Sequence, residues 1–318
     1  MHGIGLVLAP GFQMMNLAVA AAFEQANAVA PKPMYALSFL SEGGGEIPSS
    51  MGLGVRTAAI GEHAFDTTFF IGAQSPSAAA APACSRGMRT FLQRAVQGSR
   101  RLAAPCTGAF LLADAGVLDG RRATTHWARV ADLQRHYPKI KVQADRIFVS
   151  DQNIWTSAGM SASLDLALAL IDEDLGPEMS HAVARQLVMY HRRPGNQPQL
   201  STLLALPSTT DRVKRVLSYA RENLQRELSV DELAGIARLS PRQFSRLFRR
   251  ETGHSPAKAV EGLRLEAARA LLDSGHQSLD QIAFETGFSD RERMRRAFQR
   301  GFGHPPQAAR RAMRLASA

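Results

Sequence analysis

The sequence predicts two domains of different class. Residues 1–191 read as a mainly parallel α/β sheet with helices on both faces, and residues 211–318 read as all-α. Three observations predict this. Short apolar runs alternate with helical stretches in the first part, as in a sheet buried on both faces. A Pro/Gly/Ser/Thr-rich stretch over 192–210 then reads as a linker. Beyond it the apolar residues recur only at helical spacing, and one pattern occurs twice. A chain of 318 residues accommodates two domains of ordinary size. Its 45% hydrophobic content suffices for packed cores and excludes a disordered chain.

The elements follow in order. Residues 5–9 form a short apolar run, read as a buried strand, and Pro10 and Gly11 turn the chain. An Ala-rich helix is expected over 14–30, strands over 35–40 and 66–71, and a helix over 83–96. A strand over 101–104 runs through Pro105 and Cys106 into an apolar helix over 109–115. Residues 142–149 and 154–156 read as a pair of strands, followed by helices over 162–174 and 178–191. After the linker, Val213, Val216, Leu217 and Ala220 mark one helix face, and Leu263, Ala267, Ala270 and Leu271 mark another.

The repeat lies in the last hundred residues. Arg246/Arg296, Phe248/Phe298, Arg250/Arg300, Gly253/Gly303, His254/His304 and Pro256/Pro306 coincide at an offset of 50. Upstream, Ser229-Val-Asp-Glu-Leu-Ala matches Ser278-Leu-Asp-Gln-Ile-Ala at an offset of 49, so one residue is inserted in the turn between. Each copy reads as a helix-turn-helix, about 230–251 and 279–300. In the first, Ser240 is a good N-cap and Pro241 fits the first turn. Phe244, Leu247 and Phe248 recur inward, leaving Arg242, Gln243, Ser245, Arg246 and Arg249 outward. In the second, Phe288-Ser289 is expected to cap a helix with Met294, Ala297 and Phe298 inward. Arg291, Glu292, Arg293, Arg295 and Arg296 then face outward. Such side chains read base edges and grip phosphates. A single copy also fits an ordinary helical bundle with a solvated arginine face; duplication argues against that.

Charge agrees. Residues 211–318 carry 21 Lys+Arg against 13 Asp+Glu, whereas 1–210 carry 17 against 15, so the positive excess sits where a polyanion is expected. Two cysteines, Cys84 and Cys106, make no disulfide framework or zinc motif, and a reduced cytoplasm fits. No metal and no cofactor is expected. The N-terminus lacks a basic n-region and reads as a strand, and no apolar run reaches membrane-spanning length.

Leu263-Arg-Leu-Glu-Ala-Ala-Arg269, Leu271-Leu272, Ile282-Ala283 and Gly287-Phe288-Ser289 resemble the AraC/XylS transcription-factor domain over about 215–311. The resemblance implies two helix-turn-helix units joined by a helix and contacting adjacent major-groove turns. Ala259 and Ala309 stand where that family often has Tyr, and Met294 where it usually has Phe.

In the first domain Cys106 sits at a strand-to-helix turn, which strains a nucleophile outward and lowers a thiol pKa by the helix dipole. His126 supplies a base type. From these residue types alone, a buried small hydrophobe and a structural histidine are the favoured explanation. The string Cys106-Thr-Gly-Ala-Phe-Leu-Leu-Ala-Asp-Ala-Gly, with Thr124-Thr-His-Trp127, Trp155-Thr-Ser-Ala-Gly159 and Asp165-Leu-Ala-Leu, resembles the PfpI-like, class I glutamine amidotransferase-like fold, a flavodoxin-like α/β arrangement, over about 3–190. Joined to an AraC-type domain, this resembles the GlxA family of regulators. Enzymes of this fold usually supply an acid after the first strand, where this chain has Asn16. Protease-type members have His where it has Thr107. Both departures argue against hydrolysis, since an amide neither accepts nor delivers a proton as a carboxyl does.

Asn16, Gly72, Cys106, Thr107, Gly108, His126, Trp127, Gly159 and Ser161 are expected to line a pocket at the carboxyl end of the sheet, holding a small-molecule effector. Trp127 or Trp155 is placed to stack on a cation, with core packing slightly favoured for Trp155. The resemblance implies an amino-acid or quaternary-amine metabolite as effector, activation of transcription through RNA polymerase, double-stranded DNA as partner, and a homodimer through the first domain. Two readings compete: a working Cys-dependent amidase or hydratase with a DNA-binding tail, and a domain that only dimerises.

Overall fold

A computed structural model describes the protein except for residues 62–63, 74–83, 191, 202–209, 275–276, 303, 309 and 311–318. The expected helix start at Ala83, residue 191, the 202–209 part of the linker, Gly303 and Ala309 lie outside the described residues, and the helix expected over 178–191 ends at Gln186, where the chain turns. The chain divides into two compact units, Met1–Gln199 and Leu200–Ala318.

The first unit is built on an eight-stranded sheet. Its strands are β1 (His2–Leu8), β2 (Tyr35–Ser41), β3 (Gly45–Pro48), β4 (Gly54–Ala59), β5 (Thr67–Ile71), β6 (Arg101–Pro105), β9 (Phe148–Asp151) and β10 (Ile154–Ser157), in the order β3-β4-β2-β1-β5-β6-β10-β9. The short strands β7 (Arg122–Ala123) and β8 (Lys141–Val142) pair separately. The six central strands run parallel, with Ile4 beside both Leu37 and Thr67, and Trp155 beside Ala103. Both edges are antiparallel hairpin partners, β3 on β4 and β9 on β10.

Successive side chains of a strand point to opposite faces, and β5 shows it. Phe69 packs with Phe23, Leu166 and Leu170 from α1 (Ala18–Val29) and α5 (Ala162–Leu175). Phe70 packs with Phe91, Leu92, Phe110 and Leu112 from α2 (Arg86–Gly98) and α3 (Gly108–Asp114). The helices α4 (Val130–His136) and α6 (Pro177–Gln186) complete the unit. Arg101 is a buried cation at the start of β6. It is matched there by Asp174 at 2.6 Å and Glu173 at 3.1 Å, as burial of a charge requires.

Three expectations change. Residues 142–149 do not form one strand: Val142 belongs to β8, and the partner of β10 begins at Phe148. The hairpin β3–β4 went unforeseen because its residues are short, Gly- and Pro-bearing and mostly exposed; cross-strand pairing and a 2.6 Å contact between the Ser41 and Thr57 hydroxyls hold it. The start of the expected linker is bonded into the first unit. Arg193 binds Asp165, and the Gln199 side chain donates to the carbonyls of Thr125 (2.8 Å) and Ala144 (3.2 Å).

The second unit is helical: α7 (Asp211–Glu222), α8 (Val230–Ala237), α9 (Pro241–Thr252), α10 (Pro256–Ser274), α11 (Leu279–Glu285) and α12 (Arg291–Phe302). Each helix-turn-helix has its own core. Val213, Val216, Leu233, Phe244 and Phe248 form the first, and Ile282, Met294, Ala297, Phe298 and Phe302 the second. The bridging helix α10 supplies Val260 and Leu263 to one, and Leu265, Ala268 and Leu272 to the other.

Candidate functional site

Four neighbouring strands, β1, β5, β6 and β10, end at one place, and the segments that leave them carry Asn16, Gly72, Cys106 and Gly159. Cys106 has φ 52°, the left-handed backbone of a sharp strand-to-helix turn. Its N–H donates to the Ser157 carbonyl at 2.9 Å, and its carbonyl accepts from the Thr125 hydroxyl at 2.8 Å. The surroundings leave no room for side chains. A Cβ on Gly72 would stand 2.6 Å from the Thr107 carbonyl carbon. One on Gly108 would overlap the Phe70 carbonyl, and one on Gly159 would overlap Cys106 itself. Glycine at these three expected site positions is therefore what lets the turn close.

Asn16 is fully buried in a 3-10 turn, Met14–Leu17, ahead of α1. Its Oδ1 accepts from the Met160 N–H at 2.7 Å and the Ser163 hydroxyl at 3.1 Å, which fixes the amide's orientation. Nδ2 is buried and makes no hydrogen bond among the described residues. Burial pushes that thiol's pKa up; the Thr107 amide, the Asn16 side chain and the Arg129 charge oppose this. His126 Nδ1 accepts from the Ala128 N–H at 3.3 Å, and burial followed by Arg129 pushes the imidazole's pKa down. Among the described residues nothing joins this imidazole to the thiol. The His126 Nδ1 is instead engaged in capping the turn Trp127–Arg129.

Trp127 is 54% exposed and tilts over His126 at 5.5 Å between ring centroids, whereas Trp155 is 7% exposed against Phe148. Met15 and Met160 are also exposed. Ser161 is exposed, and its hydroxyl accepts from Arg193 at 3.0 Å. Sequence reasoning missed Arg129, whose charge reaches both Cys106 and His126. It pairs with Asp132 at 3.1 Å and lies 5.2 Å over the Phe110 ring. Its only sequence signal was the spacing of three to Asp132. Among the described residues no cluster of His, Cys, Asp and Glu is arranged to hold a metal, and no helix is long and apolar enough to cross a membrane.

In the second unit both expected reading helices bury Phe and Met and expose arginine, but their polar faces differ. On α9, Arg242, Arg246 and Arg249 are exposed and Ser245 is half-buried. Among the described residues these three arginines make no ion pair. Gln243 is partly committed: its N–H donates to Ser240 Oγ at 3.4 Å and its Oε1 accepts from the Ser240 N–H at 3.2 Å, a capping box. Only its Nε2 remains outward. On α12 the cap is Asp290 rather than Ser289. Asp290 Oδ1 accepts from the Arg293 N–H, and Ser289 Oγ accepts from the Arg293 guanidinium, both at 2.7 Å. With Ser240 and Asp290 as caps the offset is already 50, which places the inserted residue in the turn. Glu292 accepts two 2.7 Å bonds from Arg295 and lies 3.7 Å from Arg296, and Arg291 is exposed.

Comparison with known proteins agrees with both halves. Residues 4–173 match the DJ-1/PfpI family, and residues 233–312 match a helix-turn-helix domain. The HTH-type transcriptional regulator GlxA of Rhizobium meliloti is 32% identical over 313 residues, which covers 97% of this chain and 95% of that protein. The HTH-type transcriptional regulator GbdR of Pseudomonas aeruginosa is 30% identical over 313 residues, covering 97% and 84%. A crystal structure of an AraC family transcriptional regulator from Pseudomonas putida shares the fold, with TM-score 0.51 and 22% identity over 59% of this chain and 100% of that one.

Proposed function

The chain belongs to the DJ-1/PfpI family and carries an AraC-type helix-turn-helix domain, the composition of a DNA-binding transcriptional regulator, and from that premise we propose that its α/β unit senses a small molecule without catalysing a reaction. The observation that carries this is Asn16. It is fully buried, its Oδ1 is held by two donors, and its side chain is an amide, which neither accepts nor delivers a proton as a catalytic carboxyl does. Burial that raises the thiol pKa points the same way, since a nucleophilic cysteine needs its thiolate. The effector is an amino-acid or quaternary-amine metabolite, held between Asn16, the Thr107–Gly108 turn, His126 and Trp127. The exposed indole of Trp127 offers a cation its face.

In this reading residues 1–191 sense and dimerise, the 192–210 stretch links, and residues 211–318 bind the operator. Arg242, Gln243, Ser245, Arg246 and Arg249 meet one half-element, and Arg291, Glu292, Arg293, Arg295 and Arg296 the other. The regulator activates transcription with RNA polymerase in the cytoplasm. The test is Cys106→Ser in the full chain. Effector-dependent thermal stabilisation and promoter activation that survive the change support sensing. Turnover of a small amide or isonitrile by the parent, lost in the variant, would replace it with the enzyme reading.

A further inference from the structure

The two helix-turn-helix copies use the same left-handed turn with different residues. At the aligned position Arg238 has φ 55° and Gly287 has φ 73°. An arginine therefore tolerates this backbone in the first copy, where its side chain is exposed. The second copy's glycine answers to something other than backbone angle. A Cβ on Gly287 would overlap the carbonyl oxygen of Leu224 and stand 2.9 Å from Arg264 Nε. Leu224 lies between α7 and α8, in the loop ahead of the first copy, and packs against that copy's core. Arg264 lies on the bridging helix α10 and donates to the carbonyls of Leu224 at 3.2 Å and Arg226 at 2.7 Å.

We infer that Arg264, the Leu224–Arg226 loop and Gly287 form a lock that fixes the two reading helices relative to one another, making Gly287 and Arg264 the positions that set the spacing of the two DNA half-elements. The turn of one copy rests on the loop ahead of the other, and the arginine between them satisfies two carbonyls of that loop. Among the described residues the apolar cores of the two copies are otherwise separate, and α10 contributes to both. A single helix leaves bending and twisting open, so a contact away from its axis is what makes the pair one body. Arg300 adds a tie on the second copy, reaching Glu261 of α10 at 2.7 Å. This tie anchors α12 to the bridge but does not reach the first copy.

The lock makes two distinguishable measurements available. Nitroxide labels on Arg246→Cys and Arg296→Cys, in a full-length chain with Cys84→Ala and Cys106→Ser, report the distance between the reading helices without DNA. The parent is expected to give one narrow distribution. Gly287→Arg, which copies the first turn, and Arg264→Ala should broaden or shift it, and Arg238→Gly should not. If Gly287→Arg fails to fold, Arg264→Ala decides. An unchanged distribution in Arg264→Ala with native helix content overturns the inference.

The second measurement rests on the DNA-binding reading. A bipartite site selected from random DNA by the parent is lengthened by one base pair between its halves, a displacement of about 3.4 Å with about 35° of rotation. The parent should lose about tenfold or more in affinity. Arg264→Ala should bind the original site more weakly and the lengthened one within about threefold of it. Equal spacing penalties in parent and variant overturn the lock alone. Failure of the parent to select any sequence overturns the DNA-binding reading, and the distance measurement still decides the lock.

Discussion

Replacing Asn16 by Asp asks whether the space under the elbow is dry. The new side chain has the same shape. One oxygen keeps the Met160 N–H and Ser163 hydroxyl donors, and the other takes the place of the buried Nδ2. Because the position is fully buried, an ionised carboxylate there is desolvated, and the group holds its proton instead. Retaining a proton at pH 7 on a group whose unfolded pKa is about 3.9 costs about 4 kcal/mol at 1.36 kcal/mol per unit, which caps the penalty. The two donors favour the ionised form and reduce it, leaving about 2–4 kcal/mol at pH 7. The sign follows from a folded pKa above the unfolded one. The penalty is absent below about pH 4, grows as pH rises, and levels off above the folded pKa; at pH 5 it is about 1.5 kcal/mol.

Both tryptophans, Trp127 and Trp155, lie in the first unit, so fluorescence follows that unit's unfolding alone. At about 2–4 °C per kcal/mol, Asn16→Asp should lower its midpoint by about 5–15 °C at pH 7 and by only a few degrees at pH 5. A loss that is equal at the two pH values, or none at either, would mean that water reaches the site and would refute the reasoning.

Other outcomes test the rest of the molecule. Iodoacetamide labelling of Cys106, followed by peptide mass spectrometry, should be slower at pH 7 than that of a free thiol and inflect above about pH 8.5; an inflection near pH 6 would mark an activated nucleophile. Trp127→Ala should change stability by no more than about 0.5 kcal/mol, since the side chain is exposed. It should nevertheless remove the thermal shift caused by the effector, and a retained shift would exclude this residue from binding. Arg246→Ala and Arg296→Ala should each relax base preference at one half-element by about 1–3 kcal/mol; uniform weakening on every sequence would make both of them phosphate contacts. Glu292→Ala frees Arg295 and Arg296, so non-specific DNA affinity should rise and its salt dependence steepen; unchanged salt dependence would show that the carboxylate screens nothing.

What the sequence discloses follows the range of the interactions involved. The central strands were legible because β1, β5 and β6 are buried on both faces and read as continuous apolar runs. The cysteine turn was legible too, since Pro105, Cys106 and Gly108 sit at a strand-to-helix junction. The edge hairpin was not, because its stability comes from pairing with β2 rather than from its own pattern. The site divided in the same way. Asn16 was found by its place after the first strand, but its role depends on Met160 and Ser163, more than 140 residues away. Arg129, Arg193 and Gln199 were missed for that reason: each is an ordinary polar residue until the fold brings it to the elbow or its supports.

The repeat sharpens the point. Alignment at a constant offset identifies equivalent positions and treats their environments as equal, and the fold makes them unequal. Arg238 and Gly287 share a backbone conformation, yet Arg238 is exposed while Gly287 faces the Leu224 carbonyl of the loop ahead of the first copy. Likewise Arg246 and Arg296 align, but Glu292 stands beside the second alone. In the proposed reading, duplication supplies two reading helices from one pattern, and the later differences distribute separate tasks between them. The first offers an unscreened cationic face. The second carries its own carboxylate, and with it the means to reject a base as well as accept one. A protein that must find one site among many gains by having both kinds of surface on one rigid body, because affinity supplied by the first is then spent only where the second also fits.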